Sequence, residues 1–275
     1  MRWTRQAAGF SRGKALLCWL VAADLLFISL HFVHVRWGSA LVAWSTSTAF
    51  RIDTDQGFAE LFQYLKLILI IWLLSRLFLK CRYGTAGAWA VVFTFVLLDD
   101  AFMLHERLGV VVGNRVAPPL AYGLGSHEVG ELLVWAVAGV TMGSLVLLAH
   151  LRSSREGRIV SRGLLILFAA LVFFGLGVDV LHNILSRKHL ADALLQSDAD
   201  RVTPVVMAAK SLLHGASLST TISTLTVLPA LYAALLTVGE AVQGAMRLDL
   251  MFTLVEDGGE MIVVSLIAAY ILRNV

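Results

Sequence analysis

The sequence predicts an all-α protein, a polytopic bundle of transmembrane helices, and three observations lead to this fold class. Hydrophobic residues make up 58% of the chain and charged residues only 15%, whereas soluble domains average about 45–50% and about 25%. Several apolar runs reach the roughly 20 residues that an α-helix needs to cross a bilayer. Basic residues lie between alternate runs, which is typical of cytoplasmic loops in membrane proteins.

We predict six spans, with seven as the alternative. The first is apolar over 15–33, longer than the apolar region of a signal peptide, so we interpret it as a retained helix. A loop containing Pro118 and Pro119 separates the third and fourth spans, and Ser126 is a residue type that caps helix N-termini. Gly258 and Gly259 would let another helix approach the last span closely. The approximate bounds are 14–35, 58–80, 85–108, 126–150, 158–185 and 249–273.

The stretch 186–248 is the hardest to assign. It opens polar, and Ser217–Val238 then carries no charge but many hydroxyl residues and Pro229. It fits either a seventh span or a helical hairpin at the membrane surface. We favour a helical insertion at about 190–248 on the outer side, within a single integral membrane domain that covers residues 1–275.

Sidedness decides between six and seven spans. Basic residues precede the first span, separate the second from the third, and separate the fourth from the fifth. The positive-inside rule therefore predicts a multi-pass protein of the cell membrane with a cytoplasmic N-terminus. Six spans place Arg273 inside as well. The residues counted are Arg2, Arg5, Arg12, Lys14, Arg76, Lys80, Arg82, Arg152, Arg155, Arg158 and Arg162.

With six spans, most of the intramembrane acids gather near the outer leaflet. Only Lys66 and Arg107 offer positive charge there, and one interpretation of Glu60 is an ion pair with Lys66. A buried charge without a partner costs about 3–5 kcal/mol, so either some carboxyls are protonated or a cation binds among them. The acids are Asp24, Glu60, Asp99, Asp100, Glu106, Glu128, Glu131, Asp179, Glu256, Asp257 and Glu260.

Histidines near these acids favour a metal site. Spacings of three, four and seven residues place pairs of these groups on common helix faces, among them Asp99 and Glu106. Imidazole with carboxylate suits iron, manganese or zinc. We therefore predict a divalent metal ion. The predicted ligands are Asp99, His127, Glu131, Asp179, His182, Glu256 and Glu260. The predicted catalytic residues are Asp100, His105, Glu106, Glu128 and Asp257.

The resulting hypothesis is a metal-dependent membrane enzyme, a hydrolase or oxidoreductase that acts on a lipid-like substrate, with membrane lipid as its partner. One alternative is a transporter or channel that moves protons or divalent cations through the same acids. Another is a non-catalytic membrane subunit. The net charge of +3 without a basic patch argues against nucleic acid. Cys18 and Cys81 lack the spacing of a thiolate metal site.

Overall fold

The computed structural model describes residues 2–41, 48–54, 56–116, 126–182 and 250–274. Every regular element among these residues is helical, and they contain no strand. The insertion predicted at about 190–248 and the loop with Pro118 and Pro119 lie outside the described residues.

Seven helices follow one another in the described parts of the chain. A 3₁₀ turn, Thr48–Phe50, precedes the second helix, and the sixth continues through a π-helical turn, Phe173–Val178, as far as residue 182. The helices are α1 (Arg2–Leu41), α2 (Phe58–Cys81), α3 (Gly84–Phe102), α4 (Leu104–Val116), α5 (Ser126–Arg152), α6 (Arg155–Val172) and α7 (250–274).

Five of these helices are long and apolar enough to cross a membrane: segment Lys14–Val35 of α1, then α2, α3, α5 and segment Arg155–His182. The prediction of a polytopic all-α bundle is therefore confirmed. The last predicted span is also a helix, α7, but it carries three carboxylates in its first half. The cell-membrane location and the cytoplasmic N-terminus stay predictions.

The contacts divide the chain into two units, 1–179 with 253–275, and 180–252. The first unit contains nearly all described residues. In the second unit, the rings of His182 and Phe252 stack with centroids 4.8 Å apart. Whether residues 1–275 form a single domain stays a prediction.

The third predicted helix, 85–108, is interrupted in the structure. Met103 adopts a left-handed backbone with φ of 50°, so α3 ends at Phe102 and α4 begins at Leu104. The Asp99 carboxylate accepts the backbone N–H of His105 at 2.9 Å, which satisfies a donor in the first turn of α4. The common face expected for Asp99 and Glu106 is wrong, because their helical register is lost at Met103.

One end of the bundle is formed by the two tight turns that connect α2 with α3 and α5 with α6. Tyr83, before α3, donates to Glu156, at the start of α6, at 2.5 Å. Further along the two helices, Trp89 Nε1 donates to Ser161 Oγ at 3.0 Å. We call this end, with Arg82, Arg152, Arg155 and Arg158, the basic end.

Helix α7 runs antiparallel to α6. Near the basic end, Tyr270 donates to the carbonyl of Val160 at 3.3 Å. Towards the opposite end, a Cβ atom at Gly175 would lie only 1.9 Å from Glu260 Oε1. The first half of α7, the last part of α3 and the start of α2 therefore share this second end. We call it the acidic end, after Glu60, Asp100 and Asp257.

Helix α4 packs on the start of α5 through glycines. A Cβ atom at Gly130 would lie 1.9 Å from the carbonyl oxygen of Gly109 and 2.7 Å from the backbone nitrogen of Gly113. The two backbones therefore touch, as in other helix pairs with small residues four apart.

Candidate functional site

A polar cavity of about 180 Å³ lies at the acidic end of the bundle. Helices α2, α3 and α7 and the segment before α2 form its walls. We call it the acidic cavity, because five of its ten lining residues are carboxylates. The lining residues are Ile52, Asp53, Thr54, Ala59, Glu60, Gln63, Asp100, Asp257, Glu260 and Met261.

The segment before α2 is anchored to α1. The buried ring of His31 accepts the backbone N–H of Ile52 at 3.2 Å through Nδ1. Asp53 accepts a hydrogen bond from Arg51 Nε at 2.8 Å. Burial raises the pKa of Asp53, but the hydrogen bond and charge of Arg51, aided by His31, lower it more. The negative charge of Asp53 in the cavity wall is therefore balanced by Arg51.

Glu60 lies in the first turn of α2 with its carboxylate held by local groups. It accepts the backbone N–H of Gln56 and the hydroxyl of Tyr64. The predicted ion pair of Glu60 with Lys66 is wrong, because Lys66 bonds to Asp24 instead. Neither of the two groups that bond Glu60 is a cation, so its charge is not neutralised by them.

Gln63 lies one turn after Glu60 and also lines the cavity. Its side chain is 7% exposed, and its Oε1 accepts no hydrogen bond from any residue that the structure describes. A buried acceptor left in this way costs about 1–3 kcal/mol. A cation or a donor inside the cavity would satisfy it.

Glu260 approaches the cavity from α7. Its carboxylate lies against the backbone of Gly175, in the π-helical turn of α6, where any larger residue would collide with it. Asp100, Asp257, Glu256 and Asp179 all lie within electrostatic reach of Glu260. The wall around Glu260 therefore concentrates negative charge from three helices.

A buried ion pair lies next to the acidic cavity, towards the middle of the bundle. Lys66 Nζ donates to Asp24 Oδ1 and to the carbonyl of Met261, both at 2.8 Å. Ser265 Oγ donates to the other oxygen of Asp24 at 2.5 Å. Lys66 and Asp24 are 1% and 0% exposed. This network joins α1, α2 and α7, and Glu260 acts on Lys66 through its charge.

A second polar group lies where α3 meets α4. Asp99 is buried and bonds His105 twice, through the backbone N–H and through ring Nδ1 at 2.7 Å. Burial lowers the pKa of His105, but the hydrogen bond and charge of Asp99 outweigh burial and raise it above the ordinary 6.5. The His105 ring also packs beside Trp135, with centroids 5.4 Å apart.

The remaining predicted residues lie around this second group, on α6 or on α7. His127 Nε2 and Glu131 Oε1 are 3.4 Å apart on α5, and the Glu131 side chain crosses Gly109 of α4. Glu106 is exposed on α4, and Glu128 is partly buried near the start of α5. Asp179, directly after the π-helical turn of α6, is within electrostatic reach of both Glu131 and Glu256.

Comparison with known proteins assigns the chain to a family. Residues 20–200 match the family described as "Domain of unknown function (DUF8692)". The chain belongs to this family. No curated protein and no solved structure matches the chain. The part that matches DUF8692 contains Glu60, Gln63, Asp100 and Gly175, whereas Asp257 and Glu260 follow it.

The structure thus places seven of the twelve predicted site residues of this DUF8692 protein in two groups. Asp100, Asp257 and Glu260 line the acidic cavity, and Asp99, His105, His127 and Glu131 lie around the junction of α3, α4 and α5. Within the described residues, no three histidine, cysteine, aspartate or glutamate side chains are grouped closely enough to hold a metal ion. The metal and its seven ligands therefore stay a prediction.

Sequence reasoning missed Gln63 and gave Glu60 too small a role. The signal that could have found them is their spacing of three residues on α2, which places both side chains on one helix face. A neutral amide is easily passed over when charged groups are sought.

Proposed function

We propose that this membrane protein binds a divalent cation in the acidic cavity and acts as a metal-dependent enzyme on a lipid-like substrate. The observation that carries the proposal is the wall of the cavity. Five carboxylates and the unsatisfied Gln63 oxygen border one space of about 180 Å³. Like charges held this close repel one another unless a cation or protons intervene.

Two nearby cations among the residues that the structure describes are already engaged. Lys66 bonds to Asp24, and Arg51 bonds to Asp53. A cation from solution therefore fits the negative charge that Glu60, Asp100 and Glu260 bring to the cavity. The donors are all oxygen atoms, which suit manganese, magnesium and calcium. The sequence predicted iron, manganese or zinc. Of these three metals, oxygen donors favour manganese.

The size of the cavity fits a cation that keeps water ligands. At about 30 Å³ per water molecule, 180 Å³ has room for about six waters. Small divalent cations release their water reluctantly and often bind through one or two carboxylates. This agrees with carboxylates that border one space but are not grouped for direct coordination.

Such a cation would lower the pKa of its bound water and so supply a nucleophile at neutral pH. Asp257 is our choice for the carboxylate that accepts the water proton, because it belongs to the cavity wall and to the predicted catalytic set. Glu260, fixed against Gly175, would act as a ligand of the cation. The cavity lies at the ends of membrane-crossing helices, so we expect the substrate to come from the bilayer.

The test is Mn²⁺ binding by the purified full-length protein, followed by the electron paramagnetic resonance signal of free Mn²⁺. We expect saturable binding by the unmodified protein. Gly175→Ala moves the Glu260 carboxylate without removing a charge, and loss of such support typically weakens metal affinity by about tenfold or more. Glu260→Gln should have at least the same effect.

Two controls make the result specific. Gly177→Ala lies in the same π-helical turn but meets only the Phe173 ring, at an ordinary 3.4 Å. Glu156→Gln removes an exposed carboxylate at the basic end. Both should retain the affinity of the unmodified protein. Absent or unsaturable Mn²⁺ binding would contradict the proposal, and so would equal binding by Gly175→Ala and Gly177→Ala. The non-catalytic subunit would then become the better hypothesis.

A second candidate, a transporter of protons or divalent cations, is favoured by the Lys66–Asp24 pair, which continues the polar groups from the cavity towards the middle of the bundle. Beyond it, the buried side chains of α2 and α7 within the described residues are apolar, from Leu67 to Leu77 and from Ile267 to Ile271. Cation uptake into proteoliposomes, abolished by the paired replacement of Asp24→Leu with Lys66→Met, would favour transport over the enzyme.

A further inference from the structure

A long apolar groove lies between α5 and α6 and is closed at the back by α3. Its volume is about 560 Å³, and its lining is almost wholly apolar. On α5, the lining residues run from Trp135 to His150 at spacings of three and four, so they form one helix face. The groove is therefore roughly 22 Å long at 1.5 Å per residue.

Small residues keep the groove open on the α5 side. Gly139 and Gly143 line it, and a Cβ atom on either would meet nothing within 4 Å. Half of a bilayer core is roughly 15 Å thick, so an acyl chain of one leaflet fits the length of the groove.

A second cavity of about 490 Å³ lies beside the groove at the basic end. His150 and Arg162 line both spaces, so the two are adjacent, and Arg155 and Arg158 line the second one. These three arginines are exposed, and none forms an ion pair with a carboxylate of the described residues. The mouth of an apolar groove thus carries a concentrated positive charge.

We infer that this site binds an anionic phospholipid, with one acyl chain in the groove and the phosphate at Arg158 and Arg162. One arginine guanidinium can bind two oxygens of the same phosphate. Basic pockets between transmembrane helices are suited to anionic headgroups. The positive-inside rule places this end in the inner leaflet, where anionic lipids supply the ligand. The site lies at the end opposite the acidic cavity and does not depend on the proposed function.

The test is native mass spectrometry of the full-length protein in detergent, titrated with phosphatidylglycerol or with phosphatidylcholine of the same acyl chains. We expect a bound phosphatidylglycerol that survives detergent exchange, with weaker binding of phosphatidylcholine. Replacing the two arginines together (Arg158→Gln, Arg162→Gln) should weaken phosphatidylglycerol binding by about tenfold or more, as loss of charge-assisted contacts does. Gly139→Phe with Gly143→Phe should displace both lipids by filling the groove.

Matched controls keep the result interpretable. Arg152→Gln removes a basic residue at the same end that lines neither cavity, and Val140→Phe enlarges a 71% exposed residue of α5 outside the groove. Both should bind lipid like the unmodified protein. Equal binding of the two lipids would overturn the inference, as would binding unaffected by the arginine or glycine variants. Displacement by free glycerol phosphate would show a phosphate site that needs no acyl chain, and would overturn it too.

Discussion

The two ends of the bundle carry their charges in opposite ways. At the acidic end, Asp24, Lys66 and Asp99 are buried between helices, and further carboxylates line an internal cavity. At the basic end, the arginines are exposed around an apolar core built on Trp89 and Phe93. Charged side chains are thus buried inside the bundle at the acidic end and exposed on its surface at the basic end.

This difference indicates different roles for the charges. Exposed arginines at helix ends orient a membrane protein at little cost, because they remain in water or among headgroups. Charges inside a transmembrane bundle are costly, and they generally mark a binding or transfer site. The acidic end is therefore where we expect chemistry, and the basic end is where we expect lipid.

The packing of α5 shows the same contrast within one helix. At the acidic end, Gly130 brings the backbones of α4 and α5 into contact. About two and a half to three and a half turns later, Gly139 and Gly143 face open space in the groove. Glycine thus allows close helix packing at one end of α5 and leaves space for the groove further along it.

The largest expected effect comes from breaking the ion pair at the border of the acidic end. Lys66→Met removes the cation and leaves Asp24 buried with its charge uncompensated. Loss of one partner of a buried pair typically costs about 3–5 kcal/mol, so we expect a large fall in the thermal unfolding temperature in detergent. Replacing both partners (Asp24→Leu, Lys66→Met) should recover most of the loss. An unchanged unfolding temperature in the single variant would contradict the view that this end depends on paired charge.

A smaller effect is expected from the glycine contact. Gly130→Ala forces a Cβ atom onto the backbone of α4, and overpacking of this kind costs about 1–3 kcal/mol. Gly139→Ala is the matched control on the same helix. It adds a methyl group to open space and should be neutral or slightly stabilising, because alanine favours the helix over glycine. Equal unfolding temperatures for the two variants would remove the contrast between the ends of α5.

Much of the fold could be predicted from the sequence because the length of an apolar run is a local property. The five membrane-spanning helices and α7 all lie where apolar runs indicated them, although their ends differ by several residues. The break at Met103 could not be predicted in this way. It depends on Asp99 reaching past the end of α3 to the first turn of α4, and helical periodicity continues through that point in the sequence.

The site was predictable only in part for a similar reason. Depth in the membrane placed Asp100, Asp257 and Glu260 near the same leaflet, and in the structure all three line one cavity. Depth does not determine which groups are neighbours around the bundle. Lys66 could have met Glu60, but the packing of α1 against α2 gives it Asp24, 42 residues away. The spacing of Glu60 and Gln63 places them on one face of α2, but the sequence does not show which groups that face meets.

The smallest expected effect concerns pH at the junction of α3 and α4. The pKa of His105 is raised in the folded protein, so its protonated form stabilises the fold. This contribution is complete below the ordinary pKa of 6.5 and is lost as pH rises through the raised value. Between about pH 5 and about pH 8, unfolding measurements should show a loss on the order of 1 kcal/mol. His105→Gln should abolish that loss; if it persists, another group controls the pH dependence and the Asp99–His105 contact is not part of the charge pairing that distinguishes the acidic end.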